Sequence, residues 1–311
     1  MKSIVISSAF DSLVQEVIDW ALYFGFTDIV VISEEDFFTL PTFININNLK
    51  DKRNVLFGIK VCEINKIWFR KIDLQRNFSG ANQIDIINAT IAENSVVFDF
   101  LCEKLFRKNQ WINNPIDVFR SNKLMQQQLA IECGFVVPDS YLSNRAETIN
   151  SHNLKSFITK SIKTSINIDI DGEIYSNYTT IVNLSEVPSN FGVTFFQSQI
   201  FKIADIKSCF IFGEIFALCY IVAPVNDNID YRNACESPVF YPFQLPIKVE
   251  NNIKKLMITM DLQFATIDFV LMQNGEIVFL EVNPSGIVDS NFCMFNFHIG
   301  KILAKHLIDS K

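Results

Sequence analysis

The stretch Ala265–Gly286, ATIDFVLMQNGEIVFLEVNPSG, reads as a β-hairpin that brings two carboxylates face to face. Asn274-Gly275 lies between runs rich in Val, Ile and Phe, and two residues able to take φ > 0 between such runs predict a tight turn. With those two as the loop, Gln273 faces Glu276, and the same pairing carried back along the strands sets Asp268 directly opposite Glu281. Such a pair has its Cβ atoms roughly 4.5–5.5 Å apart, and Asn283, two residues on, points to the same face. The neighbours Ile267, Phe269, Val270, Phe279, Leu280 and Val282 are apolar, so both strands are expected to be largely buried. Opposed carboxylates there repel and lose hydration, which is costly unless something positive lies between them. Oxygens of Asp, Glu and Asn suit a hard cation, and Mg²⁺ is held by one or two carboxylates plus substrate phosphates. The plain alternative is that Asp268 is protonated or paired with a lysine and that Glu281 ends an ordinary strand. A three-residue loop would shift the register by one and send the two groups to opposite faces.

The 311 residues suffice for two or three domains around a large core. Mean hydropathy is slightly positive and Phe occurs 30 times, yet the longest apolar stretch, Cys209–Val225, contains Glu214, Gly213 and Pro224. It reads as a second hairpin turning at Gly213-Glu214, because a spanning helix needs ~20 apolar residues in a row. No membrane association is expected. The opening MKSIVISSAF reads as a strand and not as a signal peptide, so a cytoplasmic location is expected. Seven Cys without C-x-x-C spacing read as reduced core residues. A net charge of −7 with no long basic run argues against nucleic acid as a partner, with Arg70-Lys71 and Arg76 the one local cationic cluster. The oligomeric state stays open, a homodimer included.

A strand at Ile4–Ser7, a helix opened by Asp11 or Ser12 with Gln15 in capping-box position, and a strand at Ile29–Ile32 make a β-α-β start. No Gly-rich turn follows the first strand, which removes the dinucleotide fingerprint. A strand near Lys66–Arg70 and a helix over Ile84–Lys108 follow, and Asn113-Asn114-Pro115 breaks the chain. Ser121 or Asn122 caps a helix over Lys123–Cys133, which Gly134 stops before a strand at Phe135–Val137. Strands are expected at Ser156–Lys160, Ile174–Ile181 and Phe195–Phe201. Hairpins at Asp205–Val222 and Thr266–Val282 flank a Pro-containing loop, and a helix at Gly300–Ile308 turns Ile302, Leu303 and Leu307 inward. The class is α/β (α+β), with units expected at 1–113, 114–196 and 197–311.

A Mg²⁺ site of this kind implies phosphates, and phosphates need cationic donors. Lys160 ends the apolar strand FITK and Lys207 lies early in the other hairpin; each reaches a phosphate as a point charge or snorkels to solvent. In Asp230-Tyr231-Arg232 the Arg232 fork suits phosphate or carboxylate, and a loop ion pair with Asp230 is the alternative.

The order Asn122-Lys123, Lys160, Phe196-Gln197, Asp205-x-Lys207, Asp230-Tyr231-Arg232, Ala265-Thr-Ile-Asp268 and Phe279-Leu-Glu281-Val-Asn283-Pro284 resembles the ATP-grasp superfamily. More narrowly the chain is similar to the maturases that make graspetides, the microviridin-type and grasp-with-spasm ligases. Trp68-Phe69-Arg70 and Trp111-Ile-Asn113 extend the likeness to the N-terminal half. The resemblance implies an ATP-grasp fold with an N-terminal pre-ATP-grasp domain, and ATP and two Mg²⁺ as cofactors. It implies Asp268, Glu281 and Asn283 as metal ligands, and Lys123, Lys160 and Lys207 near the ATP phosphates, with Lys207 standing where arginine is commoner. Gln197, Ser198, Gln199 and Ile200 match the hinge strand that binds adenine, and Arg232 matches an arginine near the γ-phosphate or the activated carboxylate. Departures fall at Ser285-Gly286-Ile287, which replaces Gly-Gln-aromatic, at the lid Ser161–Asp171, which has no glycine, and at Tyr231 in place of Trp.

By that resemblance the enzyme activates Asp or Glu side chains of a ribosomal precursor peptide as acyl phosphates and joins them to Thr or Ser hydroxyls or Lys amines. The leader of that peptide is expected to dock near Arg70, Lys71 and Arg76. The alternatives are a ligase that adds amino acids to a peptide or protein terminus, and a nucleotide-gated peptide-binding protein without ligase activity. With His152, His298 and His306 as the only imidazoles and no nucleophile motif, Ser or Cys triads compete poorly.

Overall fold

A parallel sheet opens the chain. In the computed structural model, which describes residues 1–8, 10–71, 84–120, 122–150, 156–162, 167–170, 173–176, 179–183, 187–221, 239–286, 288 and 291–309, strand β1 (Lys2–Ser7) lies between β2 (Ile29–Ile32) and a later strand, β5 (Ile64–Lys71). Helix α1 (Ser12–Tyr23) crosses between β1 and β2, and its N-terminus is capped by Asp11, whose carboxylate accepts from Leu13 and Val14 N–H. The expected capping box does not form, since Gln15 donates to Asp19 instead. Helix α2 (Glu34–Thr39) and the ribbon of β3 (Val55–Leu56) and β4 (Ile59–Lys60) lead into β5. Helix α3 (Ile84–Phe100) ends earlier than its apolar pattern suggests and passes into one π-helical turn, Leu101–Leu105, before β6 (Trp111–Ile112) pairs with β5.

After α4 (Pro115–Arg120), helix α5 (Lys123–Glu132) is capped by Asn122 and stopped by Gly134 at φ 90°. The strand expected at Phe135–Val137 is a single bridge, Val136 to Val278. The central unit is a sheet in the order β11-β8-β12-β7, made of β7 (Ser140–Arg145), β8 (Phe157–Thr159), β11 (Thr180–Val182) and β12 (Asn190–Ser198), with α6 (Ala146–Asn150) after β7. The single strand expected over Ile174–Ile181 is two: β10 (Glu173–Ser176), which pairs with β9 (Asn167–Ile170), and β11.

The C-terminal unit is an antiparallel sheet in the order β15-β14-β13-β16-β17, from β13 (Lys202–Ile211), β14 (Glu214–Ile221), β15 (Val239–Pro242), β16 (Phe264–Met272) and β17 (Ile277–Asn283). Its first hairpin turns at Phe212-Gly213, both with φ > 0, one residue before the expected position. The Pro-containing loop hides a helix, α7 (Ile247–Thr259), which buries Ile253, Leu256 and Met257. With α5 and Phe135 it covers one face of the sheet, over Ile206, Phe210, Ile267, Phe269 and Phe279. The other face meets the N-terminal unit: Cys209, Ile211, Leu218, Tyr220 and Phe264 pack with Val5, Trp68 and helix α9 (Ile299–Ile308), beyond α8 (Asn291–Met294). In α9, Leu303 and Leu307 are fully buried, and Ser3 Oγ donates to Leu307 O at 2.6 Å.

Among the described residues no helix is long and apolar enough to cross a membrane. The described cysteines are free; Cys102, Cys133, Cys209 and Cys219 are buried, but Cys62 and Cys293 are exposed and so are not core residues.

Candidate functional site

The hairpin of β16 and β17 carries the carboxylates, but its turn is not the one expected. Met272 N–H donates to Glu276 O at 2.9 Å, which makes Gln273-Asn274-Gly275 a three-residue loop with Gly275 at φ 84°. Pairing therefore starts one out of register, with Leu271 opposite Ile277, Val270 opposite Val278 and Phe269 opposite Phe279. A bulge at Leu280 then inserts one residue, and Asp268 meets Glu281 after all. The same bulge puts Phe279 and Val282, three apart, on one buried face. Two offsets of opposite sense cancel.

On the third strand Lys207 pairs with Asp268, so a single row across the sheet reads Lys207, Asp268, Glu281. Asn283, opposite Thr266 in the next row, donates Nδ2 to Asp268 Oδ2 at 2.8 Å and to Glu281 Oε1 at 3.2 Å. Lys123, the first residue of α5, sets Nζ 3.2 Å from Glu281 Oε2 and donates to Ser161 O at 3.0 Å. Lys160, just after β8, completes the cluster. Burial pushes its ammonium pKa down, Glu281 pulls it up and Lys123 pushes it down again. Burial alone would raise the Glu281 carboxyl, but Lys123, Lys160 and the Asn283 amide hold it below its usual range. The positive partners beside Glu281 are thus Lys123 and Lys160.

Two residues that sequence reasoning did not single out for this role hold the cluster in place. Gln126, buried and one turn after Lys123, donates Nε2 to Val282 O at 2.8 Å and accepts from Val282 N–H at 2.9 Å. It satisfies the outer edge of β17 between Glu281 and Asn283, as Val136 O does for Phe279 N–H. Asn113, buried at φ 55°, accepts from Gln263 and Phe264 N–H and donates to Phe264 O and Pro284 O. It ties the end of the N-terminal unit to the turn Asn283-Pro284-Ser285-Gly286, closed by Gly286 N–H to Asn283 O at 2.9 Å. A Cβ at Gly286 would lie 1.8 Å from Thr266 Oγ1, so only glycine lets that turn fold back on β16.

The hinge candidates lie where β12 leads into β13. Gln197 is buried, its Nε2 donating to Ser140 Oγ at 3.0 Å. Ser198 and Gln199 N–H donate to Asp139 O and Ser156 O, and Ser156 Oγ donates to Gln199 Oε1. Ile200 follows at the end of the hinge. Arg232, with Asp230 and Tyr231, lies outside the described residues, as do Thr164 and Ser165 of the lid. Arg70, expected near a docking surface, is only 3 % exposed and faces inward.

The donors fit a hard divalent cation: carboxylate oxygens of Asp268 and Glu281, with the side-chain oxygen of Asn283. Among the described residues no three His, Cys, Asp or Glu gather into a metal cluster, because the third donor here is an amide. Its nitrogen here donates to both carboxylates, and an amide also carries an acceptor oxygen of the kind that hard cations take.

Parallel N-terminal sheet, central sheet and antiparallel carboxylate-bearing sheet together make the ATP-grasp fold, and solved structures of that fold match the chain from end to end. The macrocyclase MdnC of Microcystis aeruginosa MRC, bound with precursor peptide MdnA, is 19% identical over 100% of both chains, with a TM-score of 0.80. A RiPP-associated ATP-grasp ligase of Chryseobacterium gregarium, in complex with ADP and a leader and core peptide, is 19% identical over 100% of this chain and 98% of its own, with a TM-score of 0.79. The ATP-grasp ligase PsnB, complexed with minimal precursor, Mg and ADP, is 16% identical over 98% and 96%, with a TM-score of 0.78. No protein-family model matches the sequence, and no curated protein does.

Proposed function

We propose that this protein is an ATP-dependent ligase that acts on a ribosomal precursor peptide, activating Asp or Glu side chains and joining them to Thr or Ser hydroxyls or Lys amines. The observation that carries this reading is the row Lys207, Asp268, Glu281 with Asn283, Lys123 and Lys160 closed around it. Asp268, Glu281 and Asn283 would hold two Mg²⁺. The ions would supply charge that neutralises the phosphate oxygens during transfer.

Lys123 and Lys160 beside Glu281, and Lys207 in the row with Asp268, would donate to the phosphates as point charges. Ser198 and Gln199 N–H are already engaged by Asp139 O and Ser156 O, so adenine would be bound by other backbone groups of the segment Gln197–Ile200. In the reaction a substrate carboxylate oxygen attacks the γ-phosphorus and ADP leaves. A hydroxyl or amine of the same peptide attacks the acyl carbon, phosphate leaves and the nucleophile loses its proton, so each ring closed removes one water. Arg232 stands near the transferring group by resemblance. No residue of the chain needs to form a covalent intermediate.

Mass spectrometry of a candidate precursor, a short peptide rich in Thr and Asp or Glu encoded beside this gene, incubated with ATP and Mg²⁺, tests the reading. Loss of one water per ring is expected. A gain of an amino-acid residue mass rejects ring closure in favour of amino-acid addition.

A further inference from the structure

β1 and β5 are the strands from which the chain leaves the parallel sheet in opposite directions, since β2 lies outside β1 and β6 outside β5. In open α/β sheets, ligands gather outside the carboxyl ends of the strands at such a point. There, Ser7 ends β1 with no exposure and Arg70 lies one residue before the end of β5, 3 % exposed. Val5 and Trp68, two residues before each, pack against the C-terminal sheet, and the register of the two strands shifts between Ile6 and Ser7.

Asp11 holds Arg70 by one edge only. Its Oδ1 is occupied by Leu13 and Val14 N–H, while its Oδ2 lies 3.1 Å from Arg70 Nε. Among the described residues Arg70 Nη1 and Ser7 Oγ have no hydrogen-bond partner, nor does Trp68 Nε1. A buried guanidinium nitrogen left unpaired is costly, and such groups call for an explanation. Burial pushes the Arg70 pKa down and Asp11 pulls it back up, so the ion pair keeps it charged.

Trp68, two residues before Arg70, packs in one cluster with Cys209 of β13, which pairs with Thr266. Cys209 shares its face with Lys207 two residues away, about 7 Å along the strand. An anion at Arg70 therefore lies toward the sheet face that carries the Lys207, Asp268, Glu281 row.

We propose that Ser7 and Arg70 form a receiving site for a carboxylate, the acidic side chain of the substrate peptide, which they present to the neighbouring row. Ser7 Oγ and Arg70 Nη1 donate to it, and Asp11 orients the guanidinium and repels a second anion from its other edge. This rests on the ligase reading above, and gives the acyl donor a place in the fold that the cationic cluster Arg70-Lys71 does not suggest from sequence.

The test is thermal unfolding, at constant ionic strength and without nucleotide, in the presence of N-acetyl-aspartate N-methylamide, its neutral asparagine analogue, or inorganic phosphate. Wild type and Lys71→Met should be stabilised saturably by the aspartate compound and not by the analogue. Ser7→Ala should need several-fold more, and Arg70→Met should show no shift relative to its own ligand-free melting point. An equal response in Arg70→Met, no response in wild type, or a response to phosphate instead of the carboxylate overturns the assignment. Binding of Mg-ADP, measured in parallel, should be the same in wild type and Arg70→Met. Its absence from wild type would sink the ligase reading and not the carboxylate site.

Discussion

Gln126 forms both hydrogen bonds available at the outer edge of Val282, at 2.8 and 2.9 Å, and so fixes the helix that bears Lys123 against the strand that bears Glu281 and Asn283. Edge strands are open to slippage, and this clamp sits just beyond the bulge that sets the site's register.

Gln126→Met keeps the volume and leaves the Val282 peptide unpaired in a buried place. It should cost about 1–3 kcal/mol in urea denaturation. It should also weaken Mg-ADP binding, because Lys123 is no longer held beside Glu281. A variant with lowered stability and unchanged nucleotide affinity would show the clamp to be structural only.

Gly286→Ala drives a methyl into Thr266 Oγ1 and Asn283 O and should cost about 1–3 kcal/mol. Thr266→Ala should recover part of that loss, so the two changes are coupled in a double-mutant cycle. Strict additivity would place the strain elsewhere in the turn.

Glu281→Gln removes the charge that Lys123 and Lys160 share. Mg²⁺-dependent ATP turnover should fall by at least two orders of magnitude, the scale of losing one electrostatic stabiliser. EDTA should abolish turnover in the wild type. Unchanged turnover in the variant would falsify the metal assignment.

His306 stacks on Phe212 with ring centroids 3.5 Å apart. Burial lowers its pKa from 6.5, with Asp309 opposing and Lys66 adding to the shift. A folded-state pKa below the unfolded one means that the unfolded chain binds the proton first. The stabilisation is complete above pH 6.5 and is lost as pH falls through the lowered value. The denaturant midpoint of wild type should therefore fall relative to that of His306→Phe as pH drops from 7.5 to 5, a range chosen to span the free imidazole. A constant difference counts against the linkage.

Helix α7 shows where the reading of the sequence fell short. Ile253, Leu256, Met257 and Met260 follow helical spacing and are buried. The prolines before it, Pro242 and Pro246, draw attention as loop formers, yet Pro246 is the helix N-cap. Proline fits a helix start, where its missing N–H is not needed. Helix α5 was legible because Asn122 and Gly134 punctuate both ends. The bridge at Val136 was mistaken for a strand because an apolar run of three looks alike in both settings.

In the hairpin, residue types alone determined which groups could meet: Asp268, Glu281 and Asn283 as oxygen donors, a chain reversal near Asn274-Gly275, and apolar flanks that make unneutralised charge costly. The tertiary structure decided how they meet. The local turn puts the strands one residue out, and only packing of Phe279 and Val282 into the core beneath α5 and α7 places the bulge at Leu280 that restores the row. Lys123 and Gln126 come from a helix more than 150 residues away, and the inward turn of Arg70 comes from the packing of one sheet on another. A side-chain period of two is local, but register against a distant core is set by burial, which no stretch of sequence contains by itself.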